Sequence, residues 1–492
     1  MSISQMIRDF ITLAIQSGGW MEMDRLYLEN RVSAMIGEEG LVNAEVQAVT
    51  EPAIALVEQL LCQAQKNQVI TDLQTEKEIL EAQLMDLMTP PPSVVNAYFA
   101  QYYSKDPIQA TDYFFKLNKE TNYIKTRENA RNSLFPVETE YGQLEVLIDF
   151  SKTENDQEAF VAERAATGEY PKCELCMENE GYKGRTNYPA RSNQRIIRMN
   201  LDGESWGFQY EPNAQYTEQC MIASEEHRPL KITKVTFQRL LKIVEVLPHY
   251  FVGSDADLPI VGGSKPAHAH YQGGRQAFPL AAAEIEQSFT LQDFPSITAG
   301  IVKWPLSVIR LQGKKQSDLV EAANKILANW QIYSDELLGI IAQAADGTQH
   351  HTITPIARRT DDYFELDLIL RDNNVSAEFP DGIFHPHPDS QHIKKGILDL
   401  NDVMGLAALA PRLETELKEV EQYLLGQENT LADHHQKWAD QLKMDNQITV
   451  ENVTSIVQNA VGKIFVRGLE DAGVFKRDVE GQSGFLRFIH TL

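Results

Sequence analysis

Residues 261–274 read VGGSKPAHAHYQGG and place two histidines and a glutamine at alternate positions behind a glycine-rich approach. Side chains two apart point to the same face of a β-strand, so this stretch predicts a strand that presents His268, His270 and Gln272 together. Two imidazoles and an amide on one face suit phosphate chemistry or a metal. The alternative is a pair of strand histidines whose ring nitrogens are satisfied within the fold.

Nucleophilic chemistry at phosphorus is the more specific of these interpretations. A neutral imidazole attacks phosphorus well, and its ring pKa of about 6.5 makes it a good leaving group at neutral pH. The amide of Gln272 would donate to a phosphoryl oxygen as negative charge builds there. Glycines would let the backbone approach a nucleotide closely. They are Gly262, Gly263, Gly273 and Gly274.

Length and charge restrict the class of protein. A chain of 492 residues exceeds one ordinary core and, at roughly 150 residues per domain, suggests about three units or one elaborated pair. The formal charge of −25 argues against an extended nucleic-acid surface, which needs a basic stripe. No apolar run is long enough to span a membrane, and the N-terminus lacks the pattern of a signal peptide. We therefore expect a cytoplasmic protein with no nucleic-acid or membrane partner.

The pattern of apolar and turn-forming residues changes along the chain. Apolar residues recur at helical spacing over the first ninety residues, where Cys62 is expected to be a small core residue. From about residue 140, short β-rich runs alternate with turn residues and helices, including a turn at Asp202-Gly203 and a helix over 317–345. This mixture favours an α+β fold over a doubly wound sheet. His434 and His435 fall in a charged stretch that predicts a solvated helix face.

Cys173 and Cys176 form a C-x-x-C pair ahead of a Gly- and Arg-rich loop. That spacing allows both thiolates to reach one tetrahedral metal, and His227 and His268 could supply two further zinc ligands. A redox pair is a second interpretation, although it would want a thioredoxin-like strand-to-helix context. Two unremarkable thiols are the third.

Ten blocks in order resemble the class II galactose-1-phosphate uridylyltransferases of low-GC Gram-positive bacteria. They are CELC, EEHRPLKI, GSDADLPIVGGS, HAHYQGG, AGIVKWPLSVIRL, HHTITPIARR, DGIFHPH, HIKK, VMGLA and EDAGVFKRD. The resemblance covers nearly the whole chain. It implies an α+β fold of the histidine-triad superfamily, with antiparallel sheet modules in two related halves and an N-terminal helical extension. The expected domains are a helical extension over 1–95, a catalytic domain over 96–310 and a C-terminal domain over 311–492.

The resemblance also implies a reaction and the residues that perform it. UMP would pass from UDP-glucose to galactose 1-phosphate through a covalent uridylyl-histidine, with His270 as nucleophile and Gln272 holding the phosphoryl oxygens. The expected substrate contacts are Arg191, Asn193, Asp255, Gly263, Ser264, Lys395 and Asp402, with Lys394 beside them. Arginine suits bidentate phosphate binding.

Metal and oligomer expectations follow from the same resemblance. Cys173, Cys176, His227 and His268 would surround a structural zinc, since a closed four-ligand site leaves no position for attacking water. His385 and His387 are a possible second metal site, for which His392 is an optional further ligand. Family members are commonly dimers, so a homodimer is expected.

The chain departs from the family pattern around the nucleophile. Asp255 replaces an asparagine, Lys265-Pro266-Ala267 replaces Ile-Leu-Ser, Ala269 replaces an aspartate and Gln276 replaces a histidine. A carboxylate beside a diphosphate costs affinity unless it is protonated or paired. The alternatives are therefore a weakened or re-specialised member: a zinc- or nucleotide-binding protein, or a transferase or hydrolase acting on another sugar phosphate.

Overall fold

The computed structural model describes residues 2–40, 45–151, 170–263, 265–360 and 362–492. The chain forms two compact units. The first unit comprises Met1–Arg127, Asn155–Ala214 and Cys220–His227, and the second comprises Glu128–Glu154, Gln215–Gln219 and Arg228–Leu492. These boundaries differ from the expected division at residues 95 and 310, which stays a prediction.

Helices dominate both ends of the described chain. In chain order they are α1 Ile3–Gln16, α2 Arg25–Ile36, α3 Ala53–Lys66, α4 Gln74–Met88, α5 Pro92–Tyr103, α6 Pro107–Glu120, α7 Thr126–Asn129, α8 Lys234–Val246, α9 Pro279–Ala282, α10 Gln316–Trp330, α11 Leu400–Val403, α12 Arg412–Leu424, α13 Asp433–Asp445, α14 Val453–Ala472 and α15 Val479–Ile489.

The strands lie between these helical ends. They are β1 Ser133–Thr139, β2 Gly142–Ile148, β3 Ile197–Leu201, β4 Glu204–Tyr210, β5 Cys220–Ser224, β6 Phe251–Gly253, β7 His270–Gly274, β8 Ile285–Phe289, β9 Thr298–Val302, β10 Val308–Gly313, β11 His351–Arg359, β12 Phe364–Asp372 and β13 Leu406–Leu409.

The N-terminal helices form as their apolar spacing predicts. In α1 the buried residues include Ile7, Phe10, Ile11 and Ala14, a spacing of three and four that lines one helix face. Ser2 caps this helix by accepting a hydrogen bond from the backbone N–H of Gln5. The helical prediction for the first ninety residues is confirmed.

The prediction that Cys62 is a core residue is wrong, because the side chain is exposed on α3. The buried face of that helix is made by Leu56, Val57, Leu60 and Leu61 with Ala53 and Ala64. Position 62 lies two residues after Leu60 and two before Ala64, which places it on the opposite side of a helix with about 3.6 residues per turn.

In the first unit, β3, β4 and β5 form antiparallel pairs. The turn between β3 and β4 lies at Asp202-Gly203, where both residues have positive φ, 54° and 90°. Positive φ at both central residues is the mark of the two-residue hairpin turn that suits twisted strands. The predicted turn is confirmed.

The second unit holds the larger sheet. Seven strands are hydrogen-bonded in the order β7-β6-β11-β12-β10-β9-β8, and each adjacent pair is antiparallel. A smaller sheet has the order β1-β2-β13, with β13 parallel to β2. The α+β class with antiparallel sheets is therefore confirmed.

The helix expected over 317–345 is shorter than predicted. It is α10 and ends at Trp330. Beyond it, Asp335 and Ile340 exchange backbone hydrogen bonds, and the N–H of Ala342 donates to Ser334 Oγ at 3.0 Å. These bonds, together with a short 3-10 turn over Glu336–Leu338, satisfy the backbone without continuing the α-helix.

Within the described residues, no helix has both the length and the apolar character that a membrane crossing requires.

Candidate active site

His270 is the first residue of β7. The prediction that His270 and Gln272 lie on one face of a strand is confirmed, because they are two residues apart in β7. It is wrong for His268, which lies in the bend before the strand. The chain preceding β7 is held by Leu230 N–H donating to Pro266 O at 2.9 Å and Ala269 N–H donating to Arg228 O at 2.6 Å, so regular pairing starts later.

The imidazole of His270 is buried, and its Nδ1 lies 2.7 Å from the backbone oxygen of His268. A carbonyl oxygen can only accept, so Nδ1 carries the proton. In this tautomer the nitrogen with the lone pair of the neutral ring is Nε2.

Gln272 is held by a carboxyl group from the neighbouring strand. Strands β6 and β7 pair with Gly253 opposite Gln272, and the chain leaving β6 reaches Asp255 two residues later. Gln272 Nε2 donates to Asp255 Oδ2 at 3.0 Å. This bond uses one of the two amide hydrogens and leaves the other as a donor.

Asp255 is almost completely buried, and burial raises its pKa to about 7. The negative charge of Asp399 acts in the same direction. Opposing contributions come from the Gln272 hydrogen bond, the positive charge of Arg371 and the backbone N–H of Leu400. The carboxyl group therefore changes charge close to neutral pH.

Arg371 is the buried cation of this site. Burial lowers the pKa of its guanidinium to about 10, an effect that the charge of Asp255 opposes, and its Nε has no hydrogen-bond partner among the described residues. Sequence reasoning missed both Arg371 and Asp399. Both could have been noticed as charged residues in predicted structured segments. Arg371 lies near the end of the apolar strand β12, and Asp399 lies inside the HIKKGILDLND block.

Gly263 fits against the same carboxyl group. A Cβ at this position would stand 2.1 Å from Asp255 Oδ2, far below any tolerated contact. Glycine is therefore required where this loop passes Asp255. Ser264, the next predicted contact, lies outside the described residues.

A cluster of possible metal ligands forms in the first unit. Cys173 Sγ lies 3.5 Å from Cys176 Sγ, which in turn lies 3.2 Å from His227 Nδ1. Ligand atoms of a tetrahedral zinc stand about 3.3 to 3.8 Å apart, given bonds of roughly 2.0 to 2.3 Å. The three side chains therefore fit a metal of this type. His268, the fourth expected ligand, is buried in the second unit.

The loop carrying the two cysteines is held by Asn179. Its Nδ2 donates to the backbone oxygens of Cys173 and Cys176 at 2.7 and 2.8 Å, and its Oδ1 accepts from the Tyr188 hydroxyl at 2.7 Å. Such outer contacts orient metal ligands. Sequence reasoning missed Asn179 and Tyr188, although an asparagine three residues after a C-x-x-C pair is a usable signal.

Two protein-family models match this chain in succession. They describe the N-terminal domain of galactose-1-phosphate uridyl transferase, over residues 19–229, and its C-terminal domain, over residues 243–440. The chain belongs to the galactose-1-phosphate uridylyltransferase family. As a member of this family it is an enzyme of the transferase class.

Relatives of this family match along their whole length. Galactose-1-phosphate uridylyltransferase of Enterococcus faecalis is 54% identical over 490 residues, covering 99% of this chain and 98% of the relative. That of Streptococcus mutans is 49% identical over 492 residues, covering 100% and 99%. That of Pediococcus pentosaceus is 51% identical over 488 residues, covering 99% of each.

Among solved structures, the crystal structure of yeast Ap4A phosphorylase Apa2 is similar to part of the chain. The alignment covers 59% of this chain and 87% of that one, at 10% sequence identity and a TM-score of 0.35.

Of the substrate contacts expected in this uridylyltransferase family, two lie in the first unit. The Arg191 guanidinium is placed 5.7 Å from the centre of the Tyr123 ring, and its Nε has no hydrogen-bond partner among the described residues. Asn193 is buried and donates through Nδ2 to Thr121 O at 2.8 Å. Arg191 Nε is therefore a buried donor without a partner among the described residues, whereas the Asn193 amide nitrogen is used by the fold.

The two lysines of the HIKK block have different positions. Lys394 is buried, with Nζ 3.0 Å from Asp402 Oδ2, whereas Lys395 is exposed. Asp402 also accepts from the backbone N–H of Asp399 at 2.9 Å as part of the cap of α11. Asp402 is therefore paired with Lys394 within the fold, and the role of Lys395 as a substrate contact stays a prediction.

His385 and His387 contact different groups. His385 Nδ1 lies 3.2 Å from Pro386 O, and His387 Nδ1 lies 3.4 Å from Asp471 Oδ1. Among the residues that the structure describes, neither belongs to a group of three or more convergent His, Cys, Asp or Glu ligands. A second metal at this pair stays a prediction.

Proposed function

We propose that this enzyme exchanges UMP between UDP-glucose and galactose 1-phosphate through a uridylyl group carried on His270. The observation that supports it best is the hydrogen bond from His270 Nδ1 to His268 O, which leaves the ring lone pair on Nε2. Relatives of about 50% identity over the full chain are named for uridylyl transfer to galactose 1-phosphate.

In the first step, the Nε2 lone pair would attack the α-phosphorus of UDP-glucose. The bond from that phosphorus to the bridging oxygen breaks, and glucose 1-phosphate leaves with the bonding electrons. The ring then carries a positive charge, which the hydrogen bond from Nδ1 to the His268 carbonyl stabilises. In the second step, a phosphate oxygen of galactose 1-phosphate attacks the same phosphorus, and Nε2 recovers its electron pair as UDP-galactose forms.

Gln272 would stabilise the charge that develops on the phosphoryl oxygens. One of its amide hydrogens is bonded to Asp255, which sets the plane of the amide, and the other is the donor offered to the phosphate. Arg191, Gly263, Ser264, Lys395 and Asp402 are proposed substrate contacts. Asn193 is the weakest member of this set because its amide nitrogen already bonds to Thr121 O.

Zinc is the proposed structural metal. Cys173, Cys176 and His227 would hold it, with His268 as the fourth ligand, and the bound ion would fix the loop that Asn179 supports. A homodimer and a cytoplasmic location belong to the same proposal and rest on family membership.

The test is a labelling experiment with UDP-glucose radiolabelled in the uridine. We expect acid-labile label on the wild-type chain, discharged as UDP-galactose when galactose 1-phosphate is added. His270→Ala should take up no label, and Gln272→Ala should lower the labelling rate by roughly 10²- to 10³-fold. His490→Ala, which changes an exposed histidine in the C-terminal segment, is the matched control and should label normally. Label that persists in His270→Ala would contradict the proposal.

A further inference from the structure

A second group of convergent ligands lies in the second unit, on helices α12 and α13. It consists of Glu416, His434 and His435, each of which offers one ligand atom within 4.8 Å of the others. The sequence predicted a solvated helix face here. That prediction is confirmed for His434, which is exposed, and is wrong for His435, which is completely buried.

The distances are those of atoms that can share one ion. Glu416 Oε2 lies 2.9 Å from His435 Nε2 and 3.4 Å from His434 Nε2. Ligand atoms around a tetrahedral zinc with nitrogen and oxygen ligands stand about 3.3 Å apart. Small adjustments of exposed His434 would therefore bring all three atoms onto one metal.

His392 holds the ring of His435 in the required orientation. His435 Nδ1 lies 2.9 Å from His392 Nδ1, on the opposite side of the ring from Glu416. If His435 uses the lone pair of Nε2 for a metal, its Nδ1 carries the proton and donates a hydrogen bond to His392 Nδ1. Metal-ligating histidines are commonly fixed by such a hydrogen bond from the second ring nitrogen.

The group also has an access path. His434, His392 and Arg412 line an open cavity of about 1160 Å³ between the faces of α13 and α14. A metal bound through three protein ligands keeps a fourth position for water or another small ligand. The cavity would supply that ligand from solvent.

We propose that Glu416, His434 and His435 form a site for a divalent first-row transition metal, zinc foremost. Two nitrogens and one carboxylate oxygen are ligands that such ions accept. The site would join the first half of α12 to the first turn of α13. It is independent of the uridylyl transfer proposed above and of the cysteine-containing group in the first unit.

Arg412 would compete with a bound metal for the carboxylate of Glu416. Its guanidinium donates to the same Glu416 oxygen that faces both histidines. A cation bound there must displace or share this contact. Removal of the arginine charge should therefore favour the metal, whereas a network of hydrogen bonds without a metal function would only be weakened.

The experiment is a titration of the full-length, chelator-treated chain with Co²⁺, followed by absorption and by metal analysis. Co²⁺ held by the cysteine-containing group would give a thiolate-to-cobalt charge-transfer band, so an ion that adds only d–d bands reports the new site. We expect one such ion per wild-type chain, its loss in His434→Ala and Glu416→Gln, and about fivefold tighter binding in Arg412→Gln.

His490→Ala, the exposed-histidine control, should bind as the wild type does. Because His434 is exposed, its alanine variant should keep its fold, and thermal unfolding checks this. A wild-type chain that lacks the thiolate-free ion would overturn the proposal, as would retention of that ion in His434→Ala and Glu416→Gln. Uridine labelling of His270 should be unchanged in His434→Ala, so a failure here is distinguishable from a failure of the proposed reaction.

Discussion

Asp255 is the buried carboxyl group that contacts Gln272, at a position where the resemblance described above leads us to expect an asparagine. An asparagine amide can donate to a phosphate, whereas a carboxylate can only accept and repels it. Burial places the pKa of Asp255 at about 7, so both forms are populated near neutral pH. The protonated form is a hydrogen-bond donor and carries no charge, which is the state compatible with a bound diphosphate.

We predict that the activity is sensitive to alkaline pH through this one group. Above pH of about 7 Asp255 becomes anionic, so kcat/KM for UDP-glucose should fall as pH rises. Asp255→Asn should remove this alkaline limb. Steady-state pH profiles of the two proteins provide the measurement. Asp346→Asn, in an exposed loop, is the matched control, and an alkaline limb that persists in Asp255→Asn would contradict the assignment.

The same shift affects stability, and its sign follows from linkage. Because folding raises the pKa of Asp255, ionising this carboxyl group costs more free energy in the folded protein than in the unfolded chain. Stability should therefore decline as pH rises from the ordinary aspartate range through about 7. Asp255→Asn should flatten this part of the dependence of the free energy of unfolding on pH. This measurement tests the pKa of Asp255 independently of activity.

At the scale of elements, three strands of the large sheet share a buried ion cluster. Arg310 on β10 lies opposite Asp367 on β12 and binds it through Nε and Nη2 at 2.7 and 3.0 Å. Arg358 on β11 donates to the same carboxylate and to Glu365. Burial raises the pKa of Asp367, but the two arginines outweigh it and leave the pKa lowered.

We predict that Asp367→Ala destabilises the protein by about 3 to 5 kcal/mol, because the buried guanidinium of Arg310 and the partly buried one of Arg358 lose their shared partner. Urea unfolding measures the change. Glu428→Ala, an exposed acidic residue, is the control and should have little effect. Since the pKa of Asp367 is lowered, its contribution is present above the ordinary aspartate pKa and is lost as pH falls through the lowered value. An unchanged urea midpoint would show that the cluster contributes nothing.

The local sequence pattern predicted which helices and strands form better than it predicted where they begin and end. The β3–β4 hairpin was predictable because the Asp202-Gly203 turn lies between two β-rich runs. The start of β7 was not, because the bonds of Ala269 and Leu230 to distant backbone groups decide where strand pairing begins. The early end of α10 likewise depends on bonds between Asp335 and Ile340 that no helical periodicity reveals.

At the scale of the whole molecule, the dominant property is charge. The chain carries 70 acidic and 45 basic side chains, a formal charge of −25. Such an excess opposes the compact state through self-repulsion. Salt screens it, since the Debye length falls from about 30 Å at 0.01 M to about 8 Å at 0.15 M.

We predict that the melting temperature at pH 8 rises by a few degrees when NaCl increases from about 0.01 to 0.15 M. Differential scanning calorimetry measures it. Near pH 5 the net charge is close to zero, because the sequence pI is about 4.9, and the salt effect should be much smaller there. A melting temperature that falls with salt at pH 8 would mean that attractive ion pairs outweigh the net repulsion.

The sequence by itself determined the features that depend on neighbours along the chain: the N-terminal helices, the hairpin turn, the C-x-x-C pair and the alternation of His270 and Gln272. Only the tertiary structure decided which residues meet across the fold. Asp255 reaches Gln272 across paired strands, and Glu416 reaches His434 and His435 across a helix connection. The physical reason is that spacing and propensity act over a few residues, whereas these contacts depend on packing between elements that share no local pattern.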